Sequence, residues 1–248
     1  MKYDRNLIWE LDPTGSITPQ ITRILRERII HNDLKPGERI SESEIARRYD
    51  VSRQPVREAF IRLANEGLLE VRPQRGTIVS AIGYFAVLDA RFLREAVEAD
   101  IVKILAAAPD KALIDDLNTQ LERQRRVDPS EPFSFIQLDE QFHRTLATAA
   151  GKATAWKQIE GLKSQMDRVR YLSLGRFPVD HLVSQHTAVV DQITKGEIAG
   201  ANAAIRLHLR EVLKDLPQII ASNMDYFDLP DGDLPPPVTA PIQGGETL

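Results

Sequence analysis

The sequence predicts a mostly α-helical chain in which a winged helix-turn-helix, with a small β wing, precedes an all-α antiparallel helical bundle. Residues 41–49 and 52–66 form two short helical patterns separated by a tight turn, and the helical period ends after Gly67. From Tyr84 onward, six amphipathic segments follow one another, with breaks at proline, glycine and aspartate residues. Short breaks between long amphipathic segments are typical of an antiparallel bundle.

The second helical pattern has the features of a recognition helix. Ser52 is placed to cap it, and Pro55 falls in its first turn, where a missing N–H does least harm. Arg53 and Arg57 are one turn apart and share a face at the N-terminal end, where a recognition helix meets base edges and phosphates. The face predicted to be buried carries Val56, Phe60 and Leu63.

Residues 68–72 and 77–80 look like two short strands joined by a turn that contains Arg75 and Gly76. A basic-tipped hairpin beside a recognition helix can lie along an adjacent minor groove. Residues 17–34 add an amphipathic helix, with Ile21, Ile24 or Leu25, and Ile29 on one face. The alternative is a small structural domain with solvated arginines, but the order of turn, arginine pair and wing favours DNA binding.

Composition indicates a cytoplasmic protein without a membrane segment. The 248 residues include no cysteine, which excludes disulfides, thiolate zinc sites and cysteine nucleophiles. No apolar run approaches the ~18 residues of a membrane span, and residues 1–16 lack the apolar core of a signal peptide. Residues 17–80 carry 12 Lys and Arg against 9 Asp and Glu, whereas residues 81–248 carry 18 against 24. Only the predicted DNA-reading part is basic.

Four regions follow from these patterns. Residues 1–16 are an N-terminal extension, and residues 17–82 form the winged helix-turn-helix domain. Residues 83–223 form the helical domain, for which we predict effector binding and dimerisation. Residues 224–248 are rich in Pro, Gly and Asp, and we predict that most of this tail is disordered, with docking on the bundle through Tyr226 and Phe227 as the alternative.

Three helical segments of the bundle each direct a metal-type ligand at its interior. Asp139 and His143 are four residues apart, on one helix face, within an apolar stripe. His186 and His208 occupy equivalent positions between apolar neighbours on two later segments, whereas His181 lies near the start of a helix and is predicted to be solvated.

A buried carboxylate without a partner is costly, so Asp139 needs one. A divalent cation held by Asp139, His143, His186 and His208 would satisfy all four groups. Zinc or nickel is favoured thermodynamically, with manganese or iron as alternatives in the cell. The plainer interpretation is that each histidine is a core residue hydrogen-bonded to an ordinary partner.

The N-terminal part resembles the DNA-binding domain of the GntR family of bacterial transcription regulators. The resemblance rests on several phrases: Pro36-Gly37-Glu38-Arg39, Ser43-Glu44-Ile45-Ala46, Val51 to Ala59, Leu63 to Leu68, and Arg75-Gly76. It implies that Arg39, Arg53 and Arg57 contact phosphates and bases, and that Gly76 enters the minor groove. The expected DNA-binding residues are then Arg39, Ser52, Arg53, Gln54, Arg57, Arg75 and Gly76.

The helical part resembles the effector-binding FCD domain of the FadR subfamily. The phrases Asp139 to His143, Gln185-His186 and Leu207-His208 match the ligand set of its metal-binding members. The Arg-x-x-x-Glu phrase from Arg91 to Glu95 matches its first helix, which implies that Arg91 faces the effector pocket. Where the family has Ser-Gly-Asn, this chain has Ala-Gly-Lys at residues 150–152.

Together these features predict a homodimeric, metabolite-responsive transcription regulator rather than an enzyme. It would bind a near-palindromic operator in double-stranded DNA and sense a small organic or sugar acid through its carboxylate at the metal. A rival is a metal-dependent hydrolase with an appended DNA-binding head, but Glu140, beside a ligand, points about a hundred degrees away from it. A non-specific architectural DNA binder is the third hypothesis.

Overall fold

The computed structural model describes residues 10–72, 76–128, 132–173 and 179–242. The chain divides into two compact units. The first contains the described residues up to Tyr84, together with Asn223–Leu229. The second contains Phe85–Ser222 and the described residues from Pro230 onward.

The first unit has the predicted order of helices and strands. Its elements are α1 (Ile17–Ile30), β1 (Arg39–Ile40), α2 (Glu42–Arg48), α3 (Arg53–Asn65), β2 (Leu69–Arg72), β3 (Gly76–Val79) and β4 (Ile82–Gly83). The predicted wing is the antiparallel pair β2–β3, in which Leu69 faces Val79. Strand β1, which the sequence did not predict, pairs with the other edge of β3 and gives the sheet order β1-β3-β2.

The core of the first unit forms where α1 packs against α3. The apolar positions predicted from helical spacing are buried, and they include both Ile24 and Leu25: Ile21, Ile24, Leu25, Ile29, Val56, Phe60 and Leu63. Asp50 has a φ of 50° in the turn between α2 and α3, a left-handed conformation that aspartate tolerates better than most residues. Asp50 N–H donates to the carbonyl oxygen of Arg47, and Val51 N–H to that of Ala46, so both residues take part in the turn that ends α2.

The second unit consists of helices throughout its described core. They are α4 (Tyr84–Ala107), α5 (Lys111–Arg125), α6 (Pro132–Ala149), α7 (Ala153–Leu162), α8 (Ser164–Leu172), α9 (Val179–Thr194) and α10 (Ile198–Ser222). Helices α9 and α10 pack together, and α5 lies against both α9 and α6. The sequence predicted one helix over residues 154–174, whereas the chain breaks at Lys163, two residues after the weak helix former Gly161.

The core between these helices has an apolar part and a polar part. Leu117, Phe142, Trp156 and Val189 belong to one continuous buried cluster. Beside it, α4 buries two arginine–glutamate pairs, Arg91–Glu95 and Arg94–Glu98. No helix in the described ranges is long and apolar enough to cross a membrane.

The C-terminal residues differ from the predicted disorder as far as residue 242. Met224–Tyr226 forms a short 3₁₀ helix, and Phe227–Asp228 (β5) pairs in parallel with β4 inside the first unit. Ile242 is buried within the second unit. The sequence did not indicate these contacts, because the few apolar residues that make them lie within a Pro-rich segment. Residues 243–248 lie outside the described residues.

Candidate metal centre and DNA-reading surface

The N-terminal end of α3 presents the residues expected to read DNA. Ser52, Arg53, Gln54 and Arg57 are all exposed. Ser52 occupies the predicted N-cap position, but its side chain makes no capping hydrogen bond. Its hydroxyl is therefore not committed to the helix.

Arg53 has one neighbour of opposite charge on this surface. Its Nη2 lies 3.4 Å from Glu42 Oε2, and the arginine side chain remains 69% exposed. An exposed ion pair of this kind contributes little to stability. A phosphate group could therefore replace the glutamate at small cost.

Two more of the expected DNA-binding residues lie on the wing sheet. Arg39 is exposed on β1, and Gly76 begins β3 with a φ of 86°. A residue with a Cβ atom would be strained in this conformation, although no neighbouring atom would obstruct it. Arg75 lies outside the described residues.

The four predicted metal ligands converge inside the second unit. Asp139, His143, His186 and His208 are buried, and one ligand atom from each lies within 4.8 Å of the others. His208 Nε2 lies 3.2 Å from His143 Nε2 and 3.1 Å from His186 Nε2. Asp139 Oδ1 lies 3.4 Å from His186 Nε2 and 3.9 Å from His143 Nε2. Helices α6, α9 and α10 thus bring three imidazoles and a carboxylate to one point.

The second ring nitrogen of each imidazole, Nδ1, faces a side-chain oxygen atom. The pairs are His143 Nδ1 with Glu98 Oε2 at 2.5 Å, His186 Nδ1 with Gln124 Oε1 at 2.8 Å, and His208 Nδ1 with Gln185 Oε1 at 3.0 Å. The amide oxygens of Gln124 and Gln185 can only accept, so Nδ1 of His186 and Nδ1 of His208 carry the hydrogen, whereas the His143–Glu98 contact lacks hydrogen-bond geometry. The three Nε2 atoms face one another, and those of His186 and His208 are left with a lone pair.

The side-chain amide orientation of Gln124 and Gln185 follows from the hydrogen bonds that their Nε2 atoms donate. Gln124 Nε2 donates to the carbonyl oxygen of Leu138, and Gln185 Nε2 donates to Glu211 Oε2 at 2.8 Å. Both amide nitrogens are therefore used elsewhere, and the Oε1 atoms face the imidazoles.

Arg170 is the charged partner of Asp139. Its Nη2 lies 2.7 Å from Asp139 Oδ2, yet the contact lacks hydrogen-bond geometry, and both carboxylate oxygens are buried without a hydrogen bond. We therefore treat the contact as a charge interaction. Burial would raise the pKa of Asp139, but the positive charge of Arg170 outweighs it and holds that pKa well below its usual range.

The protonation states suit metal ligation. Burial lowers the pKa of His186, and burial together with the neighbouring imidazoles lowers the pKa of His208 well below its usual value. Burial would raise the pKa of Glu98, but Arg94 and His143 lower it to about 2. Neutral imidazoles beside ionised carboxylates are the forms that bind a metal.

These observations fit a divalent metal site. The centre joins three imidazole nitrogens to a buried carboxylate whose oxygens accept no hydrogen bond. Each imidazole is oriented by an oxygen behind it, as the second layer around protein metal sites usually is. A nitrogen-rich donor set with one carboxylate suits zinc and its neighbours in the first transition row.

Arg91, expected to face the effector, lies in a second polar cluster. Its Nη1 bonds Glu95, and Glu95 also accepts hydrogen bonds from Arg206 at 2.6 Å and Arg210 at 3.0 Å. Burial would raise the pKa of Glu95, but Arg210 and Arg206 outweigh it and lower that pKa. An ionised glutamate among three guanidinium groups leaves this cluster positively charged.

Sequence reasoning missed the residues behind the imidazoles. Gln124 had a signal, since it follows Leu113, Leu117 and Leu121 on the buried face of α5. Glu98 stands four residues after Arg94 on the inward face of α4, while Arg170 had no signal that we can identify. His181 is partly exposed near Glu211 and outside the cluster, as expected.

Glu140, the candidate base of the enzyme hypothesis, lies away from the centre. It pairs with Arg144 at 3.0 Å and approaches Lys163 at 3.5 Å. The carboxylate is therefore used in ion pairs with Arg144 and Lys163 and is not directed at the four candidate ligands.

Comparisons with known proteins agree with the two-part architecture. Residues 17–79 match the family model "Bacterial regulatory proteins, gntR family", and residues 89–211 match the FCD domain model. The chain is 37% identical over 220 residues to the HTH-type transcriptional repressor RspR of Escherichia coli (strain K12), covering 88% of this chain and 96% of that protein. It is 39% identical over 204 residues to an HTH-type transcriptional regulator of Streptomyces ambofaciens, covering 82% and 86%.

Solved structures show the same fold. The E. coli protein McbR/YncC superposes with a TM-score of 0.67 at 16% identity, covering 84% of this chain and 99% of that one. A GntR transcriptional regulator from Rhodococcus sp. RHA1 gives a TM-score of 0.65 at 23% identity, with the same coverage. The two family models and the 37%-identical relative show a transcription regulator with a DNA-binding domain: the chain belongs to the GntR family of bacterial regulatory proteins and carries an FCD domain.

Proposed function

We propose that this chain is a metal-dependent sensor of a small carboxylic acid that controls binding of a homodimer to operator DNA, within the FadR subfamily. The observation that carries the proposal is the convergence of three imidazole Nε2 atoms on the Asp139 carboxylate. Such lone pairs repel one another unless a cation lies between them. A divalent metal bound there would offer an open coordination position to an anionic oxygen of the effector.

The charges around the centre favour an acid as the effector. Asp139 and Glu98 carry two negative charges, and their partners Arg170 and Arg94 carry two positive ones. With neutral imidazoles, a divalent cation would leave two positive charges uncompensated in a buried space. A carboxylate reduces this excess, whereas a neutral sugar or an amine does not.

The FCD domain also offers a surface for dimerisation. Helix α4 exposes a run of large apolar side chains, each more than two-fifths exposed: Phe85, Phe92, Leu93 and Ile104. Monomeric proteins seldom expose such residues along one helix face. A dimer is also what one recognition helix per chain requires to read both half-sites of a near-palindrome.

The relative RspR supports a direction of regulation for this proposal. RspR is described as a transcriptional repressor, and it aligns with 88% of this chain. We propose that this chain also represses and that the acid releases it from DNA, because it binds more tightly to the conformation that does not fit the operator.

The test is a thermal-shift screen of zinc-loaded protein against a library of carboxylic acids. An acid that binds the folded state raises the melting temperature, and the same acid should weaken retention of the chain on a fragment containing its own upstream DNA. His208→Ala should lose the acid response while still binding DNA. Acids that shift wild type and His208→Ala equally would contradict a metal-dependent sensor.

A further inference from the structure

The C-terminal segment of residues 238–242, here called the strap, lies on the arginine cluster of α4 and α10. Arg91 Nη2 donates to the carbonyl oxygen of Val238 at 3.1 Å, and Arg210 Nη2 donates to the carbonyl oxygen of Ala240. Ile242 is only 7% exposed, so the strap ends in an apolar anchor.

The two arginines are buried beneath these contacts. Arg91 and Arg210 are each 1% exposed, and the Nε of Arg91 is buried without a hydrogen-bond partner. Arg91, Arg206 and Arg210 share a single carboxylate, that of Glu95. The strap gives them neutral carbonyl oxygens, and within the described part of the chain Glu95 is the one carboxylate that pairs with them, so these four side chains carry a net charge of +2.

This cluster adjoins the metal centre through α4. Glu95 and Glu98 are three residues apart, which places their Cβ atoms about 5–6 Å apart on one helix face. Glu98 contacts the ligand His143, whereas Glu95 contacts Arg91 and Arg210. An acid bound near the metal ligands would therefore lie close to a second group of side chains, which is positively charged.

We propose that the strap is an internal occupant of an oxyanion subsite formed by Arg91 and Arg210, and that an anionic ligand displaces it. A carboxylate or phosphate forms charge-assisted, bidentate hydrogen bonds with guanidinium groups, which are stronger than bonds to neutral carbonyl oxygens. The inference rests on the proposed acid-sensing function and adds to it: Arg91 can bind an effector only after it releases the carbonyl of Val238.

The same arrangement links ligand binding to the position of the chain's C-terminal segment. Release of the strap exposes Ile242 and frees the residues that follow Pro230 in the second unit. The apparent affinity for the anion is reduced by the fraction of molecules in which the strap occupies the subsite. A variant with a weakened strap should thus bind anions more tightly than wild type.

The absence of cysteine allows a single spin label to report on the strap. Val238→Cys is suitable because that side chain is 85% exposed while its backbone carbonyl makes the contact. In the labelled, zinc-loaded full chain, succinate or inorganic phosphate should mobilise the label with a saturable dependence, and sodium chloride at equal ionic strength should not. A response to one anion alone identifies the carboxylate or the phosphate as the preferred ligand chemistry.

A matched pair of variants tests competition without a label. By calorimetry, Ile242→Ser should bind the effective anion at least about fivefold more tightly than wild type, since it loses only the buried anchor of the strap. Val238→Ser, altered at an exposed side chain, should bind as wild type does. Three results would each contradict the proposal for the strap. The label is already mobile without anion, no anion mobilises it, or the two variants bind the anion with equal affinity.

Different results would contradict the proposal for the strap and the proposal for a metal-dependent acid sensor. If an anion releases the strap equally in wild type and in His208→Ala, the strap stands and the metal-dependent sensor fails. If an acid binds the zinc-loaded protein and leaves the label immobile, the sensor stands and the strap fails.

Discussion

At the scale of single residues, the metal centre depends on which nitrogen of each imidazole carries a proton. The sequence predicted that Asp139, His143, His186 and His208 face the bundle interior, because helical spacing places each of them within an apolar stripe. It did not predict Glu98, Gln124 or Arg170 behind them, because their contacts depend on how α4, α5 and α8 pack against other helices.

Removal of a ligand should reduce metal content and stability together. We expect His186→Ala or His208→Ala to fall from about one divalent metal per chain to almost none, with a lower melting temperature, because metal binding contributes to folding. His181→Ala is the control, since His181 lies outside the cluster. Elemental analysis measures the metal content, and calorimetric melting measures the stability. Full metal content in His208→Ala would contradict the assignment of His208 as a ligand.

The glutamines behind the imidazoles should tune affinity without acting as ligands. Gln124→Leu removes the acceptor for His186 Nδ1 and should weaken metal binding about 10- to 100-fold. Gln120→Leu is a matched control, because Gln120 is buried one turn away on α5 and bonds Asp116 and Thr145 instead. Competition with a chromophoric chelator gives both affinities. Equal losses in the two variants would show a general packing effect and no role for the imidazole contact.

The buried imidazoles also predict how stability depends on pH. The folded-state pKa values of His186 and His208 lie below the ordinary 6.5, so their contribution is complete above pH 6.5 and is lost as the pH falls. Metal-free protein should lose up to about 1.4 kcal/mol per pH unit per histidine below pH 6.5. Glu98, with a folded pKa of about 2 against 4.5, adds its loss only below pH 4.5.

Urea unfolding of metal-free protein between pH 8 and pH 5 measures this dependence. His208→Gln, which has no titrating group at that position, should show a shallower slope than wild type. A wild-type stability that is constant over this range would contradict neutral, buried imidazoles.

At the scale of whole elements, the hydrophobic period located the helices, but it did not locate the short strands. Strand β1 has two residues and forms only because β3 offers an open edge, and β4 pairs with residues more than 140 positions away. Pairing of that kind leaves no periodic pattern. The break at Lys163 was missed because the apolar spacing continues across it.

The recognition helix should lose its function when its N-terminal arginines are removed. Arg53→Ala or Arg57→Ala removes about 1–3 kcal/mol per contact, twice in a dimer, so specific DNA binding should become undetectable. Arg62→Ala is the control, because Arg62 lies half a helical circumference from Arg53 on the same helix. Anisotropy titration of labelled upstream DNA makes the comparison, and wild-type affinity in Arg53→Ala would refute the assignment.

The exposed face of α4 predicts the oligomeric state. Phe92→Asp places a charge among the apolar side chains and should convert a dimer into monomers without loss of helix content. Leu162→Asp, at an equally exposed residue of α7, should stay dimeric. Sedimentation at micromolar concentration separates the results; a dimeric Phe92→Asp protein would place the interface elsewhere.

At the scale of the whole molecule, a DNA-binding domain precedes an FCD domain in which the four candidate metal ligands are buried. Charge asymmetry and motif order indicated the two parts, and the family comparisons agree with both. The C-terminal segment was the largest departure, because a few apolar side chains and two backbone carbonyls hold it, and composition does not reveal them.

The most direct test of the central claim is zinc binding to metal-stripped wild-type protein, followed by the acid screen on both forms. We predict one zinc ion per chain by calorimetry, with protons released only to the extent that the imidazoles are protonated, and an acid-induced rise in melting temperature in the zinc-loaded form alone. Metal-stripped protein that responds to the same acid as strongly as loaded protein would contradict the claim that the metal centre is the sensor.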